Sequence, residues 1–302
     1  MNGRAVVLLN PAAGSVAASG ASEITDRVST ALALAGVDAD VRPIDSRYLA
    51  AAVRAAVDGG AAAVVIGGGD GTLNTAVEAL VGGPVPLGVL PLGTRNHFAR
   101  DLGLDGDLDA AARVIAAGHV RQVDVGEVNG RTFLNNCSLG LYADLVRDRE
   151  TQEAVADRKR WSAIVRATFG SLRRFHVRTV TLRAEGRVWR VTTPMVFVGN
   201  NRYETRLLAL GRRSGLDEGL LWLYLARNAS RAGVFRLAAR MMLGRLEQTR
   251  DFEAVATTEL ELRTYRRHVR LAVDGEVLPM VSPLRWRVRP GALRVLAPLA
   301  PA

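Results

Sequence analysis

The sequence predicts an α/β domain built on a parallel sheet, followed by a β-rich second domain of antiparallel, sandwich-like character. Three observations lead there. Short apolar runs alternate with Ala-rich helical stretches up to about residue 125, the pattern turns to long strands of alternating polarity from Gln122 onward, and the charge divides at the same place. Residues 1–125 carry nine Arg against thirteen acids, a net of −4; the rest carry 31 cations against 17 acids, a net of +14, giving +10 for the 302-residue chain. Such a division suggests two domains with different partners.

The elements follow in order. Ala5–Leu9 reads as a buried strand, since five apolar residues before Asn10-Pro11 are too few for the apolar core of a signal peptide. Helices are expected over Ala21–Ala35, Ser46–Asp58, Asn74–Val81, Asn96–Leu102 and Leu108–Ala117, alternating with strands at Asp38–Arg42, Ala62–Ile66 and Leu87–Leu90. This alternation places helices on both faces of a parallel sheet. Beyond it, strands are expected at Val177–Leu182, Arg187–Val198, Leu220–Leu225, Phe252–Arg263 and Val269–Val277. Two helical insertions, Asp144–Arg174 and Arg231–Arg250, pair an apolar stripe with many Arg residues, a pattern of helices that pack on a core or rest on a membrane surface. The longest apolar stretch, Ala79–Thr94, is broken by Pro and Gly, so no membrane-spanning helix is expected.

Composition excludes several chemistries. Of 40 cationic residues, 39 are Arg and the single Lys is Lys159, which rules out a P-loop, a protein-kinase strand Lys and Schiff-base catalysis. Cys137 is the lone cysteine, so no internal disulfide forms, and the four His show no zinc-ligand spacing. With 16 aromatic residues and no RNA- or DNA-binding motif, no nucleic-acid partner is expected.

The segment Val64 to Asn74 runs from a buried strand through Gly67-Gly68-Gly69-Asp70-Gly71-Thr72 into a helix. Glycines let the backbone approach a phosphate chain, and a helix N-terminus adds partial positive charge, so phosphate is bound without Lys. Asp70 would repel phosphate; a carboxylate there holds Mg²⁺ or takes a proton from an attacking hydroxyl. Companion loops, Asn10-Pro11-Ala12-Ala13-Gly14-Ser15 and Pro91-Leu92-Gly93-Thr94-Arg95-Asn96, follow two other predicted strands. Ligands of such sheets bind at the carboxyl ends of the strands.

Asn10-Pro-x-x-Gly14, Gly68-Gly-Asp-Gly-Thr72 with Asn74, and Pro91-Leu-Gly-Thr-x-Asn-x-Phe-Ala-Arg100 resemble, in order and spacing, the diacylglycerol kinase catalytic family in its bacterial soluble lipid kinase branch, related to sphingosine and ceramide kinases. Phe133-Leu134-Asn135 to Gly140, Asp217-Glu218-Gly219 and Asp274-Gly275-Glu276 extend the likeness over nearly the whole chain. The Pro-Leu-Gly-Thr segment separates it from NAD kinases and phosphofructokinases, which share the Gly-Gly-Asp-Gly motif.

The resemblance implies ATP-dependent, Mg²⁺-assisted phosphorylation of a lipid hydroxyl: diacylglycerol, ceramide, a sphingoid base or a related lipid alcohol. It implies an ATP-binding domain over 1–125, a lipid domain over 126–284, a segment from about 285 to 302 that returns to the first, and an active site in the cleft between them. Asn10, Pro11, Gly14, Gly68, Gly69, Asp70, Gly71, Thr72, Asn74, Thr94 and Asn96 would hold ATP. Asp70 would organise the catalytic Mg²⁺, and Asp274 with Glu276 would provide the general base, Glu276 being the usual assignment. Backbone carbonyls of Gly215, Glu218 and Leu220 would hold a structural Mg²⁺.

Three departures stand out: Thr75 where the family often carries Glu, Glu218 where Asp is usual, and no Thr near Pro43. A cytoplasmic enzyme of phospholipid biosynthesis, peripheral to the anionic inner face of the cell membrane and homodimeric, is the implied setting. The competing readings are an NAD-kinase-like or other small-alcohol kinase, and a catalytically idle lipid- or nucleotide-binding regulator.

Overall fold

In the computed structural model, residues 3–14, 20–104, 106–140, 178–203, 213–226, 230, 233 and 252–299 are described. The chain divides into two compact units: Met1–Val125 with Gly215–Asp217 and Arg289–Ala302, and Gly126–Ser214 with Glu218–Val288.

The first unit runs β1 (Ala5–Leu9), α1 (Ala21–Leu34), β2 (Ala39–Pro43), α2 (Ser46–Asp58), β3 (Ala63–Gly68), α3 (Asp70–Leu80), β4 (Leu87–Pro91), α4 (His97–Asp101) and α5 (Leu108–Ala117). The strands are parallel in the order β2-β1-β3-β4, with Val7 opposite Val41 and Val65. Every residue of β3 and β4 is buried, as their unbroken apolar character demands. Ile24, Val28 and Leu32 of α1 and Ala111, Ala112 and Ile115 of α5 share a core with Val7, Val65 and Leu90. Asp45 and Asp107 cap α2 and α5 by accepting the amides of Arg47 and Asp109, each worth about 1 kcal/mol.

The next strand, β5 (Val120–Val128), passes from the first unit into the second. There follow β6 (Arg131–Phe133), β7 (Asn136–Gly140), β8 (Arg178–Ala184), β9 (Arg187–Thr193), β10 (Met195–Asn200), β11 (Leu221–Ala226), β12 (Phe252–Thr257), β13 (Glu259–Thr264), β14 (His268–Val273), β15 (Glu276–Val281) and β16 (Leu284–Leu296). Residues 289–296 of β16 belong to the first unit, where Val295 pairs in parallel with Leu87.

One antiparallel sheet of the second unit has the order β12-β11-β10-β7-β14-β15. Its other strands pair antiparallel as β16-β13-β8-β9, beside the β5–β6 hairpin. Leu139, Val198, Leu223 and Leu271 from the first group and Phe133, Leu182, Leu262 and Trp286 from the second form one apolar core. The α/β unit with a parallel sheet and the β-rich antiparallel unit are those the sequence predicts.

Three long predicted strands are each two strands. Arg187–Val198 breaks at Pro194 and Phe252–Arg263 at Thr258, and at both points the chain changes sheet. Buried Thr193 and Thr257 stand before these breaks, and each hydroxyl donates to a carbonyl two residues on, Met195 at 2.9 Å and Glu259 at 2.6 Å. Each hydroxyl thus ties the end of one strand to the first residue of the next, in the other sheet. Val269–Val277 breaks at Asp274-Gly275, whose positive φ values of 46° and 90° make the two-residue turn joining β14 to β15. Helix α3 begins at Asp70, four residues before the expected Asn74. The predicted insertions Asp144–Arg174 and Arg231–Arg250 lie, apart from Gly233, outside the described residues. No helix among the described residues is long and apolar enough to cross a membrane.

Candidate active site

The loops after β1, β3 and β4 meet at the carboxyl edge of the parallel sheet. Asn10 donates its Nδ2 to Thr72 Oγ1 at 2.9 Å, and its Oδ1 accepts the Ala12 amide at 3.0 Å. Gly14 lies against Thr94: a Cβ on it would stand 2.8 Å from Thr94 Oγ1. Gly69 and Gly93 pass backbone to backbone, since a Cβ on Gly93 would come within 2.3 Å of Gly69 Cα. Only glycine permits that approach. Asn96, with φ of 49°, ties its own loop by accepting the Gly93 amide at 3.0 Å and donating to the carbonyls of Pro91 at 3.0 Å and Gly93 at 2.8 Å.

Gly71 differs from these. A Cβ there would meet nothing within 4 Å, and its φ is not in the left-handed region, so nothing among the described residues requires glycine. Asn74, buried in α3, presents an Oδ1 with no hydrogen-bond partner among the described residues. Pro11 and exposed Thr94 stand on the rim of the same edge.

Asp70 is the first residue of α3, and its half-buried carboxylate is turned to the start of α4. Oδ2 accepts the His97 amide and Oδ1 the Phe98 amide, both at 3.1 Å. Each oxygen keeps a further lone-pair direction, a donor set that suits Mg²⁺ or its water. Neighbouring His97 holds Arg100 Nη2 on its Nδ1 at 2.9 Å. Arginine only donates, so Nδ1 is the acceptor and the neutral ring carries its proton on Nε2. Burial first, then Arg100 and Arg95, hold His97 below its ordinary range against the pull of Asp70.

In the second unit, Asp274 accepts three backbone amides: Leu134 at 2.7 Å, Asn135 at 2.8 Å and Asn136 at 2.9 Å. Burial outweighs these bonds and the nearby Arg213, pushing its pKa up to about 6. Glu276, across the turn, is exposed and lies 3.6 Å from Arg131 Nη2. The two acids therefore differ: one carboxylate is committed to the backbone, and the other faces solvent.

Gly215 falls in the first unit, whereas Glu218 and Leu220 fall in the second. The Glu218 carboxylate accepts from Ser214 Oγ at 2.8 Å and Trp222 Nε1 at 3.1 Å, and the Leu220 carbonyl accepts the Asn201 amide at 3.0 Å. Among the described residues no three His, Cys, Asp or Glu side chains gather as metal ligands. Sequence reasoning passed over His97, Arg131 and Arg213. An Arg beside a Gly or Ser carries no local sign of its partners, so no motif points to the last two.

Residues 4–128 match the diacylglycerol kinase catalytic domain, and residues 142–297 match the YegS C-terminal NAD kinase beta sandwich-like domain. The chain is 29% identical over 315 residues to a Mycobacterium tuberculosis protein named diacylglycerol kinase, covering 98% of this chain and 96% of that one. It is 30% identical over 168 residues to the Escherichia fergusonii protein named "Probable lipid kinase YegS", spanning 54% of this chain and 56% of the relative's length. A crystal structure described as a diacylglycerol kinase from Bacillus anthracis superposes with a TM-score of 0.70 at 19% identity, covering 98% of this chain and 97% of the other. Another from that organism gives 0.77 at 21% identity, covering 98% and 95%. At these identities the two structures establish the fold.

Proposed function

The chain belongs to the bacterial lipid kinase family that joins a diacylglycerol kinase catalytic domain to a YegS C-terminal domain, and from that premise we propose that it transfers the γ-phosphoryl group of ATP to a lipid hydroxyl. The observation that carries the reading is the convergence of the three loops on one sheet edge, with Gly71 left bare where packing does not demand it. A side chain absent without internal cause marks the approach of a ligand's phosphates.

In this reading Asn10, Pro11, Gly14, Gly68, Gly69, Gly71, Thr72, Asn74, Thr94 and Asn96 form the nucleotide cradle. Asp70 holds the catalytic Mg²⁺, which supplies charge neutralisation on the transferring phosphoryl group. Glu276 receives the hydroxyl proton; Asp274, already engaged by three amides, holds the turn that carries it. The acceptor is diacylglycerol, ceramide, a sphingoid base or a related lipid alcohol. The +14 of residues 126–302 suits a peripheral hold on anionic lipid. That hold should weaken with salt in vesicle co-sedimentation, and salt-insensitive binding would contradict it.

The test is transfer of labelled γ-phosphate from ATP to a panel of lipid alcohols in mixed micelles, with Asp70→Asn as the control. Label in one lipid class with wild type and none with the variant is expected. Equal labelling by both proteins, or label in no lipid, would end the proposal.

A further inference from the structure

Leu134 and Asn135, which join β6 to β7, and Asn136, the first residue of β7, give all three amides to the Asp274 carboxylate. The opposite side of this segment is held by a buried cation. Arg213 Nη1 donates to the Leu134 carbonyl at 2.6 Å and to the Asn200 carbonyl at 3.2 Å, and Nη2 donates to Asn135 Oδ1 at 3.1 Å. Asn200 completes the frame, giving its Nδ2 to Leu134 O and its amide to Asn135 O, each at 2.9 Å. Arg213, Asn135 and Asn200 are 8%, 6% and 0% exposed.

A guanidinium taken out of water is costly unless acceptors and an opposite charge offset it. Here a carboxylate sits on the amide side of the segment and a guanidinium on its carbonyl side, each favourably placed on the peptide dipoles between them. Glu276 follows Asp274 by two residues, and Arg131, its ion-pair partner, precedes Leu134 by three. The turn that carries Glu276, through Asp274, and the strand that carries Arg131 are thus both tied to a segment gripped on both sides.

We propose that Arg213 is a positioning residue: with Asp274 it fixes residues 134–136 and so aims the Glu276 carboxylate. The inference rests on the reading of Glu276 as the general base. The fork of the guanidinium spans acceptors on two elements, which a Lys ammonium reaches only in part.

The test is a double-mutant cycle in the ATP-to-lipid transfer assay with Arg213→Met, Arg213→Lys, Glu276→Gln and the Arg213→Met/Glu276→Gln pair, with thermal melting of each. Arg213→Met should lower kcat by roughly 10–100-fold, the loss that accompanies a misplaced reacting group, with the KM for ATP unchanged. Arg213→Lys should recover part of it, and adding Arg213→Met to Glu276→Gln should cost nothing further. Wild-type kcat in Arg213→Met, a kcat loss that only tracks its folded fraction, or additive losses in the pair would overturn the inference. If Glu276→Gln keeps wild-type kcat, the base assignment itself fails and takes this inference with it. If Glu276→Gln is inactive while Arg213→Met is normal, the positioning role fails alone.

Discussion

Asp70 and Asp274 are two aspartates that accept backbone amides, and the difference between them separates the chemistry of the two units. Asp70 takes two N–H groups at 3.1 Å from the start of a helix and remains half-buried, with lone pairs to spare for a cation. Asp274 takes three at 2.7 to 2.9 Å, and burial still raises its pKa to about 6. An acid with remaining valence can act on a ligand; one spent on the backbone holds a shape. The same contrast runs through the surroundings, since the first site is built of glycines and side-chain amides, and the second of a buried cation, a carboxylate ringed by amides and a turn.

The sharpest way to break this comparison is to neutralise each acid in turn. Asp70→Asn should reduce phosphoryl transfer by roughly 10²–10³-fold, the scale of removing one electrostatic stabiliser, with little change in melting temperature. Asp274→Asn should lower kcat by loosening the segment that aims Glu276, and should also act on stability, with a particular pH dependence. A native pKa of about 6, against the ordinary 3.8, means the folded chain keeps a proton that the unfolded chain has released between those values. Stability conferred by protonated Asp274 is therefore present below about pH 4 and lost as pH rises through 6, by roughly 3 kcal/mol. Urea unfolding of wild type and Asp274→Asn should show a stability difference more favourable to wild type at pH 4 than at pH 7. A difference independent of pH would sink the account of Asp274.

Two glycines sharpen it further. Gly93→Ala places a methyl group against Gly69 Cα and should cost about 1–3 kcal/mol in unfolding experiments while weakening ATP binding. Gly71→Ala meets open space inside α3 and should raise stability by about 0.5–1 kcal/mol, yet raise the KM for ATP. Improved stability with unchanged ATP kinetics would remove the ligand-based reason for that glycine.

What the sequence disclosed follows from the range of the forces involved. The apolar runs Ala5–Leu9 and Leu87–Leu90 are local and unmistakable, and the glycine loops after them announce the first site without any knowledge of the fold. The helix beginning at Asp70 is concealed because Gly71 is a poor helix former. The two sheet crossings at Pro194 and Thr258 are flanked by residues that favour strands, Thr192-Thr193 before one and Thr257-Thr258 at the other, so pattern alone reads through them. Arg213 reads as a solvated charge beside Ser214, and its burial depends on Leu134 and Asn135, 79 and 78 residues earlier. Asp274-Gly275 stands inside a run that reads as one strand, and the three amides that engage its carboxylate come from nearly 140 positions upstream.

The central claim is that the exposed acid of the turn, Glu276, works on a lipid hydroxyl. The most direct measurement follows ADP and phosphorylated lipid together, by mass spectrometry, from ATP and the accepted lipid with wild type and Glu276→Gln, alongside equilibrium ATP binding to both. The account predicts one phospholipid per ADP from wild type, a loss of roughly 10²–10⁴-fold with Glu276→Gln, and equal ATP affinity. Equal rates of lipid phosphorylation by the two proteins, or ADP formed without phosphorylated lipid, would contradict it.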